Sequence, residues 1–219
     1  LRYLADYDVL TGIYNKNKFI EETRRMLDEY PDEKIAFVRM DIDRFQLINS
    51  FYGTQAGDEV LKFVAESLKN YIKKYEKGTY GRMEADVFAI CLPYADVCEA
   101  LDQVYIIRNH FKQYPLEFDI VPAFGIYVIE DKSLPIEIML DRAKLAAKTI
   151  KGQYLNNYAF YTDDIGLALE EEQQIVNEMA NALEKEQFTV YFQPKYNVKS
   201  RQPVGAEALV RWEHPEMGM

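Results

Sequence analysis

The chain has 219 residues, of which 48% are hydrophobic and 28% charged, as in ordinary soluble globular proteins. Its formal net charge of −10 argues against a nucleic-acid-binding or anionic-membrane-binding protein, because both partners require a basic surface. No stretch approaches the roughly 20 apolar residues that a membrane span needs. The two cysteines show no metal-ligand spacing, which predicts reduced thiols in a cytoplasmic protein.

The first three quarters of the sequence alternate between helical and strand patterns. Apolar residues at helical spacing predict helices, and short apolar runs predict strands. In chain order these patterns predict a helix over Lys18–Glu29, a strand over Ile35–Met40, and helices over Arg44–Tyr52 and from Gly57. They also predict a helix over Asp96–Tyr114, a strand over Asp119–Ile129, a helix over Pro135–Lys151 and a strand over Tyr158–Tyr161. Alternation over residues 79–92 is imperfect and does not by itself predict strands there. The alternation of helices and strands predicts the α/β class, an α+β sandwich with one central sheet flanked by helices.

The polar stretch Thr162–Asp164 predicts a boundary between a first domain, residues 1–162, and a second segment, residues 163–219. In the second segment we expect a helix over Glu170–Glu186 and strands over Phe188–Gln193 and Val204–Trp212. The chain begins without Met, which predicts that it is part of a longer protein.

Two carboxylates, Asp41 and Asp43, follow the predicted first strand. Hard cations such as Mg²⁺ take one or two carboxylates in proteins, and the phosphates of a nucleotide supply the remaining oxygens. The pair therefore predicts a divalent-metal site. Solvated loop carboxylates have the same spacing, so the pair alone does not decide between these interpretations.

Several ordered segments resemble known families. MDIDRFQLIN…YGTQAGDEVL, DVLTGIYNKNKF, GRMEADVFAI and DRAKLAAKTIKG are similar to GGDEF domains, the bacterial modules whose active members condense two GTP into cyclic di-GMP. VYFQPKYNV and VGAEALVRWEHP resemble the opening of an EAL domain, the cyclic di-GMP phosphodiesterase fold. The resemblance implies a nucleotidyl-cyclase-like sheet followed by the start of a β/α barrel. It is also the main basis for predicting a hairpin of two strands, over Thr79–Met83 and Val87–Leu92. That barrel would be incomplete, because it requires about 250 residues.

The cyclase signature itself departs from the family pattern. Where active members carry two glycines, an acidic residue and a glutamate, this chain has Glu84, Ala85, Asp86 and Val87. Glycines allow the backbone to approach phosphates closely, and Val87 can neither bind metal nor move a proton. Only Asp86 keeps the chemistry. We therefore expect no cyclase activity, and weak or absent GTP binding.

Other family positions are preserved. The resemblance implies that Asp41 and the Ile42 carbonyl hold a metal ion, that Asn49 and Asp58 read guanine, and that Lys148 binds phosphate. Helix capping and turn formation are alternative roles for Asn49 and Asp58, and a solvated helix-end position is the alternative for Lys148. There are two further departures: Gln46 replaces a phosphate-binding lysine, and a product-inhibition motif is lost at Tyr75 and Gly78. We expect Arg82 to form a structural ion pair and not a substrate contact.

In the EAL-like segment, the resemblance implies that Glu207 binds metal and that Gln193 and Arg211 contact substrate. Hydrolysis with two metal ions requires further carboxylates and a base from later strands. We expect no hydrolysis by this chain, although a complete parent protein would be a phosphodiesterase that uses Mg²⁺ or Mn²⁺.

Three functions remain open. The chain is a degenerate GGDEF module that regulates an attached EAL domain, an active cyclase, or a dimerisation and spacer domain. The implied ligands are GTP and cyclic di-GMP, with a weak Mg²⁺ site. The implied partners are the rest of the EAL domain, an upstream sensor that could tether the parent to a membrane, and a second copy in a homodimer.

Overall fold

The computed structural model describes residues 5–74, 77–115, 119–152, 157–215 and 218. The helices are α1 (Lys16–Glu29), α2 (Phe45–Tyr52), α3 (Thr54–Ile72), α4 (Val97–Phe111), α5 (Ile136–Ile150) and α6 (Asp163–Glu184). The strands are β1 (Ile35–Ile42), β2 (Thr79–Glu84), β3 (Val87–Pro93), β4 (Pro122–Val128), β5 (Tyr158–Phe160), β6 (Phe188–Tyr196) and β7 (Pro203–Trp212). The chain divides into two compact units between Ile165 and Gly166.

The first unit is built on a five-stranded sheet in the order β2-β3-β1-β4-β5. β1 lies in the middle and pairs antiparallel with both β3 and β4, whereas β4 and β5 run parallel. The carboxyl end of β1 therefore lies beside the start of β3, where the β2–β3 turn emerges, and beside the start of β4. This confirms the predicted fold class, one central sheet flanked by helices.

The side chains of β1 alternate between two cores. Val38 and Met40 belong to the cluster that includes residues of α2, α3 and α4. Ile35 and Phe37 belong to the cluster that includes residues of α1 and α5. Because successive residues of a strand face opposite sides of a sheet, Arg39 and Asp41 share the second face with α1 and α5.

The helices at the carboxyl end of β1 begin at different residues from those predicted. Arg44 adopts a left-handed conformation (φ 56°) and precedes α2, so the helix begins at Phe45. Gly53 (φ 87°) separates α2 from α3, which begins at Thr54 and not at Gly57. A glycine allows this reversal because it has no β-carbon to clash at positive φ. The predicted helix over Asp96–Tyr114 and strand over Asp119–Ile129 are both shorter in the structure, as Val97–Phe111 and Pro122–Val128.

A lysine between β4 and α5 holds the loop that follows α1. The Lys132 Nζ donates to the carbonyls of Tyr30, Pro31 and Glu33 at 2.6, 2.7 and 2.6 Å. These carbonyls belong to the C-cap residue of α1 and to the loop that follows it. One side chain therefore satisfies all three.

In the second unit, α6 is followed by the antiparallel pair β6 and β7. The helix begins at Asp163, seven residues before its predicted start at Glu170, so the division between units falls within a helix. β6 continues to Tyr196, beyond the predicted end at Gln193. No closed barrel is present among the described residues. The predicted boundary between residues 162 and 163 stays a prediction.

Within this unit, His214 ties the end of β7 to α6. Its Nε2 lies 2.7 Å from Glu178 Oε2, and this contact lowers the pKa of the Glu178 carboxyl. The Trp212 indole donates to Gln187 Oε1 at 3.1 Å.

Tyr75, one of the two positions of the lost product-inhibition motif, lies outside the described residues. Within the described residues, the helices are too short or too polar to cross a bilayer.

Candidate functional site

Asp41 lies at the carboxyl end of β1, opposite Val87 on β3 and Ala123 on β4. Burial raises the pKa of the Asp41 carboxyl, Asp86 and Glu84 raise it further, and Arg39 and Lys151 oppose the shift. The Arg39 guanidinium approaches Asp41 Oδ1 to 3.2 Å. Asp41, which the sequence predicted as a metal ligand, therefore forms an ion pair with Arg39 on the same strand.

The β2–β3 turn carries the residues that replace the cyclase signature. Ala85 adopts positive φ (41°), the left-handed conformation that disfavours residues with a β-carbon. Arg82 donates to the Ala85 carbonyl from Nε at 2.8 Å and from its terminal nitrogen at 2.6 Å, which holds this turn. Glu84 and Ala85 are exposed and Asp86 is half-buried. The side chains here are two carboxylates and one methyl group.

Arg82 also makes the predicted structural ion pair. Its Nη1 lies 2.9 Å from Asp8 Oδ1. The same oxygen accepts from the Thr11 backbone N–H and hydroxyl at 2.9 and 2.6 Å. The arginine is therefore committed to holding the N-terminal turn against the hairpin.

Val87 is buried, with 6% of its surface exposed, at the first position of β3. It faces Asp41 in the strand register. Its isopropyl group offers no oxygen to a cation and no group that can accept a proton. The position next to Asp41 is therefore chemically inert.

The predicted guanine-reading residues lie on two consecutive helices. Asn49 is inside α2 and Asp58 is inside α3, so neither caps a helix, and the capping alternative is wrong for both. The Asn49 side chain lies over Gly57, where an added β-carbon would meet Asn49 Oδ1 at 1.9 Å. Asp58 is exposed. Since Gly57 directly precedes Asp58, the Asn49 side chain lies close to the backbone that carries Asp58.

A cavity of about 200 Å³ lies between the β1 end and α5. Its charged lining residues are Arg39, Asp41, Asp43, Lys144, Lys148 and Lys151. Lys144 and Lys148 are four residues apart on one face of α5, and Lys151 follows directly after the helix ends at Ile150. Lys148, the predicted phosphate ligand, is therefore one of three ammonium groups at this cavity.

The donors expected for Mg²⁺ do not assemble at this edge. No group of three or more acidic, histidine or cysteine side chains is placed to hold a metal ion in the described part of the chain. Asp41 is ion-paired and Val87 is apolar, whereas Ile42 lies at the end of β1 in register with Pro122, which has no N–H to donate to the Ile42 carbonyl. Mg²⁺ demands near-octahedral oxygen ligands, so one paired carboxylate does not make its site. The residues present do not fit the ion.

The predicted EAL residues lie on β6 and β7 and are exposed. Gln193 and Glu207 are direct partners across the two strands. Glu207 pairs with Lys195 at 3.1 Å, and an Arg211 terminal nitrogen donates to the Val210 carbonyl at 3.1 Å. Gln193 and Glu207 are therefore neighbours, and Arg211 lies farther along β7.

Sequence reasoning missed Arg39, Lys144 and Lys151. A signal existed for Arg39, because it is the only charged residue within the apolar run Ile35–Met40. The i, i+4, i+7 spacing of Lys144, Lys148 and Lys151 was likewise visible once α5 was assigned.

Comparison with known proteins places this geometry in a family. Residues 5–157 match the model of the diguanylate cyclase GGDEF domain, and residues 176–219 match that of the EAL domain. A curated relative, the bifunctional diguanylate cyclase/cyclic di-GMP phosphodiesterase MucR of Pseudomonas aeruginosa, is 26% identical across 99% of this chain. The chain spans only 32% of that relative's length.

Solved structures show the same fold. The GGDEF domain of DgcB from Caulobacter crescentus, in complex with c-di-GMP, superposes with a TM-score of 0.64 at 22% identity, covering 72% of this chain and 96% of that one. The S helix-GGDEF-EAL part of Vibrio cholerae LapD, bound to c-di-GMP, gives 0.66 at 19% identity, covering 98% of this chain and 50% of that one. Together with the matched family models, these likenesses lead to one conclusion: the chain belongs to the GGDEF family, and the start of an EAL domain follows its GGDEF domain.

Proposed function

We propose that the first unit is a catalytically inactive GGDEF module of a cyclic di-GMP signalling protein, which binds a guanine nucleotide weakly and regulates an attached EAL phosphodiesterase. The observation that carries the proposal is the pairing of Asp41 with Val87 across β1 and β3. Where cyclase chemistry requires an acidic group beside the metal-binding aspartate, this site offers a buried isopropyl group.

The β2–β3 turn supports the same proposal. Glu84 adds a negative charge where a triphosphate would approach, and like charges repel. Ala85 adds a β-carbon where active members of the family have glycine. Both changes oppose phosphate binding at the turn, and both accompany the loss of the acidic residue at Val87.

Nucleotide binding rests on a different part of the unit. The Asn49 amide and the Asp58 carboxylate together supply a donor and acceptors, which complement the edge of guanine. Lys148 and its two neighbouring lysines supply positive charge at the cavity beside α5. The chain keeps Asn49 and Asp58, the two residues that would bind guanine, but has Val87 in place of the acidic residue that catalysis requires. We therefore expect guanine binding without turnover.

The second unit enters the proposal as the opening of the phosphodiesterase. Glu207, Gln193 and Arg211 would act only within a completed EAL domain, with Mg²⁺ or Mn²⁺ as its metal. A cytoplasmic location also belongs to the proposal, since Cys91 and Cys98 are both free thiols.

Calorimetric titration of the purified chain with GTP tests the proposal. We expect weak binding that Asp58→Ala reduces at least about tenfold, because the variant removes a charge-assisted hydrogen bond to the base. Glu84→Gly is the matched control and should leave binding equal or improve it, since it removes a charge that repels phosphate. No binding at all would favour a spacer domain. A larger loss in Glu84→Gly than in Asp58→Ala would show that the guanine assignment is wrong.

A further inference from the structure

Arg39 is a buried cation that the proposed function does not use. It lies in the middle strand of the sheet, and only 8% of its surface is exposed. Burying an arginine costs free energy unless a carboxylate or hydrogen-bond acceptors compensate it. Its presence in β1, where Asp41 is the only other charged residue, therefore needs an explanation.

The surroundings of Arg39 leave space for a long side chain. Its direct neighbours in the sheet are Ala89 on β3 and Gly125 on β4, both of them small. A β-carbon on Gly125 would meet the Ala143 carbonyl oxygen at 1.8 Å and the Ala147 nitrogen at 2.7 Å, so α5 lies directly on this strand. Small residues thus form the walls around the arginine, and its guanidinium reaches Asp41.

The contact with Asp41 is ionic and incomplete. A terminal nitrogen of Arg39 lies 3.2 Å from Asp41 Oδ1, yet the pair is not aligned as a hydrogen bond. Arg39 Nε and Asp41 Oδ1 are both buried and have no hydrogen-bond partner among the described residues. Both residues line the cavity beside α5. Buried polar atoms without a hydrogen-bond partner therefore lie on two of the side chains that line the cavity, behind its accessible surface.

The charge balance of the cavity favours an anion. Its lining includes four basic side chains, from Arg39, Lys144, Lys148 and Lys151, and two carboxylates, from Asp41 and Asp43. A divalent cation at Asp41 would lie within a few ångströms of a fixed guanidinium, and like charges at that distance repel strongly away from bulk water. Phosphate oxygens would instead meet donors that bind them well.

We infer that Arg39 takes the place of a divalent cation at Asp41, so that this cavity receives the phosphate groups of a nucleotide directly on protein cations and without a metal ion. The identity of the nucleotide rests on the proposed function above. The exclusion of the metal does not rest on it, because it follows from Arg39 and Asp41 alone.

Titration of the full chain with Mn²⁺ alone tests whether Asp41 binds a divalent cation. The electron paramagnetic resonance signal of the free ion measures binding. All variants carry Glu207→Gln, which removes an exposed carboxylate that could bind the ion. With Arg39 present, the chain with Asp41 and its Asp41→Asn variant should bind Mn²⁺ with the same affinity. Arg39→Met should bind Mn²⁺ at least about tenfold more tightly, and the double variant Arg39→Met/Asp41→Asn should lose that gain. Mn²⁺ binding with Arg39 intact that Asp41→Asn abolishes would overturn the inference.

A second titration needs no variant and remains decisive if Arg39→Met fails to fold. GTP is titrated calorimetrically into the unmodified chain, once with EDTA and once with Mg²⁺. Equal affinity in the two buffers, within about threefold, is expected. Binding that requires Mg²⁺ would contradict the inference. Absence of binding in both buffers would count against the proposed nucleotide function, and the Mn²⁺ comparison would then decide the role of Arg39 separately.

Discussion

At the scale of single residues, Asp8 shows how the degenerate hairpin is held in place. Burial would raise the pKa of its carboxyl, but hydrogen bonds from Thr11 and Arg82 outweigh burial, and the net pKa is lowered from its ordinary value of 3.8. A lowered folded-state pKa means that the ionised form stabilises the fold. This stabilisation is present above pH 3.8 and is lost as the pH falls through the folded-state value.

Asp8→Asn should therefore lower the free energy of unfolding at pH 7 by about 1 kcal/mol, a modest loss because the pair is partly exposed and screened by solvent. The difference from wild type should disappear in strong acid. Urea unfolding at several pH values measures it, with Asp28→Asn, an exposed carboxylate on α1, as the control. A difference that is the same at pH 3 and pH 7 would show that the charge of Asp8 is not what stabilises the turn.

At the scale of elements, the close packing of α5 on β4 shapes the basic cavity. Gly125→Ala would place a β-carbon 1.8 Å from a backbone oxygen of α5, so the helix would have to move. We expect a loss of about 1–3 kcal/mol in the free energy of unfolding, as for other overpacked sites. Gly205→Ala is the matched control, because its β-carbon would meet no atom within 4 Å. Equal urea midpoints for the two variants would contradict this packing.

Many but not all features of these helices and strands can be predicted from the sequence. Most strands and helices of the first unit follow from apolar periodicity, and so does the placement of Asp41 at a strand end. The β2–β3 hairpin is predicted mainly by the family resemblance, because its apolar alternation is imperfect. The start of α3 does not, because Thr54–Ala56 carry little apolar signal and the helix start depends on Gly53 at positive φ. The ion pair of Arg39 could not be predicted either. It depends on small side chains, Ala89 and Gly125, that only strand register places beside it.

At the scale of the whole molecule, the second unit presents apolar side chains on a two-stranded sheet. Those exposed on β6 and β7 include Val190, Tyr191, Phe192, Tyr196, Val204 and Val210. Two strands alone are marginal in water, and exposed apolar strands with free edges tend to associate. The proposed completion of the EAL domain would cover such surfaces in a longer protein.

We therefore expect a chain that ends at Thr162 to be at least as soluble as the full chain and more monomeric. Light scattering at several protein concentrations compares the two molecular masses. The full chain should show mass that rises with concentration, whereas the shorter chain should not. A full chain that stays monomeric while the shorter one associates would assign self-association to the first unit.

The central claim, that this GGDEF domain binds without catalysing, is tested most directly by product analysis. The purified chain is incubated at micromolar concentration with GTP and either Mg²⁺ or Mn²⁺, and the nucleotides are separated by chromatography beside those of an active GGDEF cyclase. Because Val87 removes the acidic group beside Asp41, we predict no cyclic di-GMP. Formation of cyclic di-GMP by the wild-type chain, abolished by Asp41→Ala, would contradict the account.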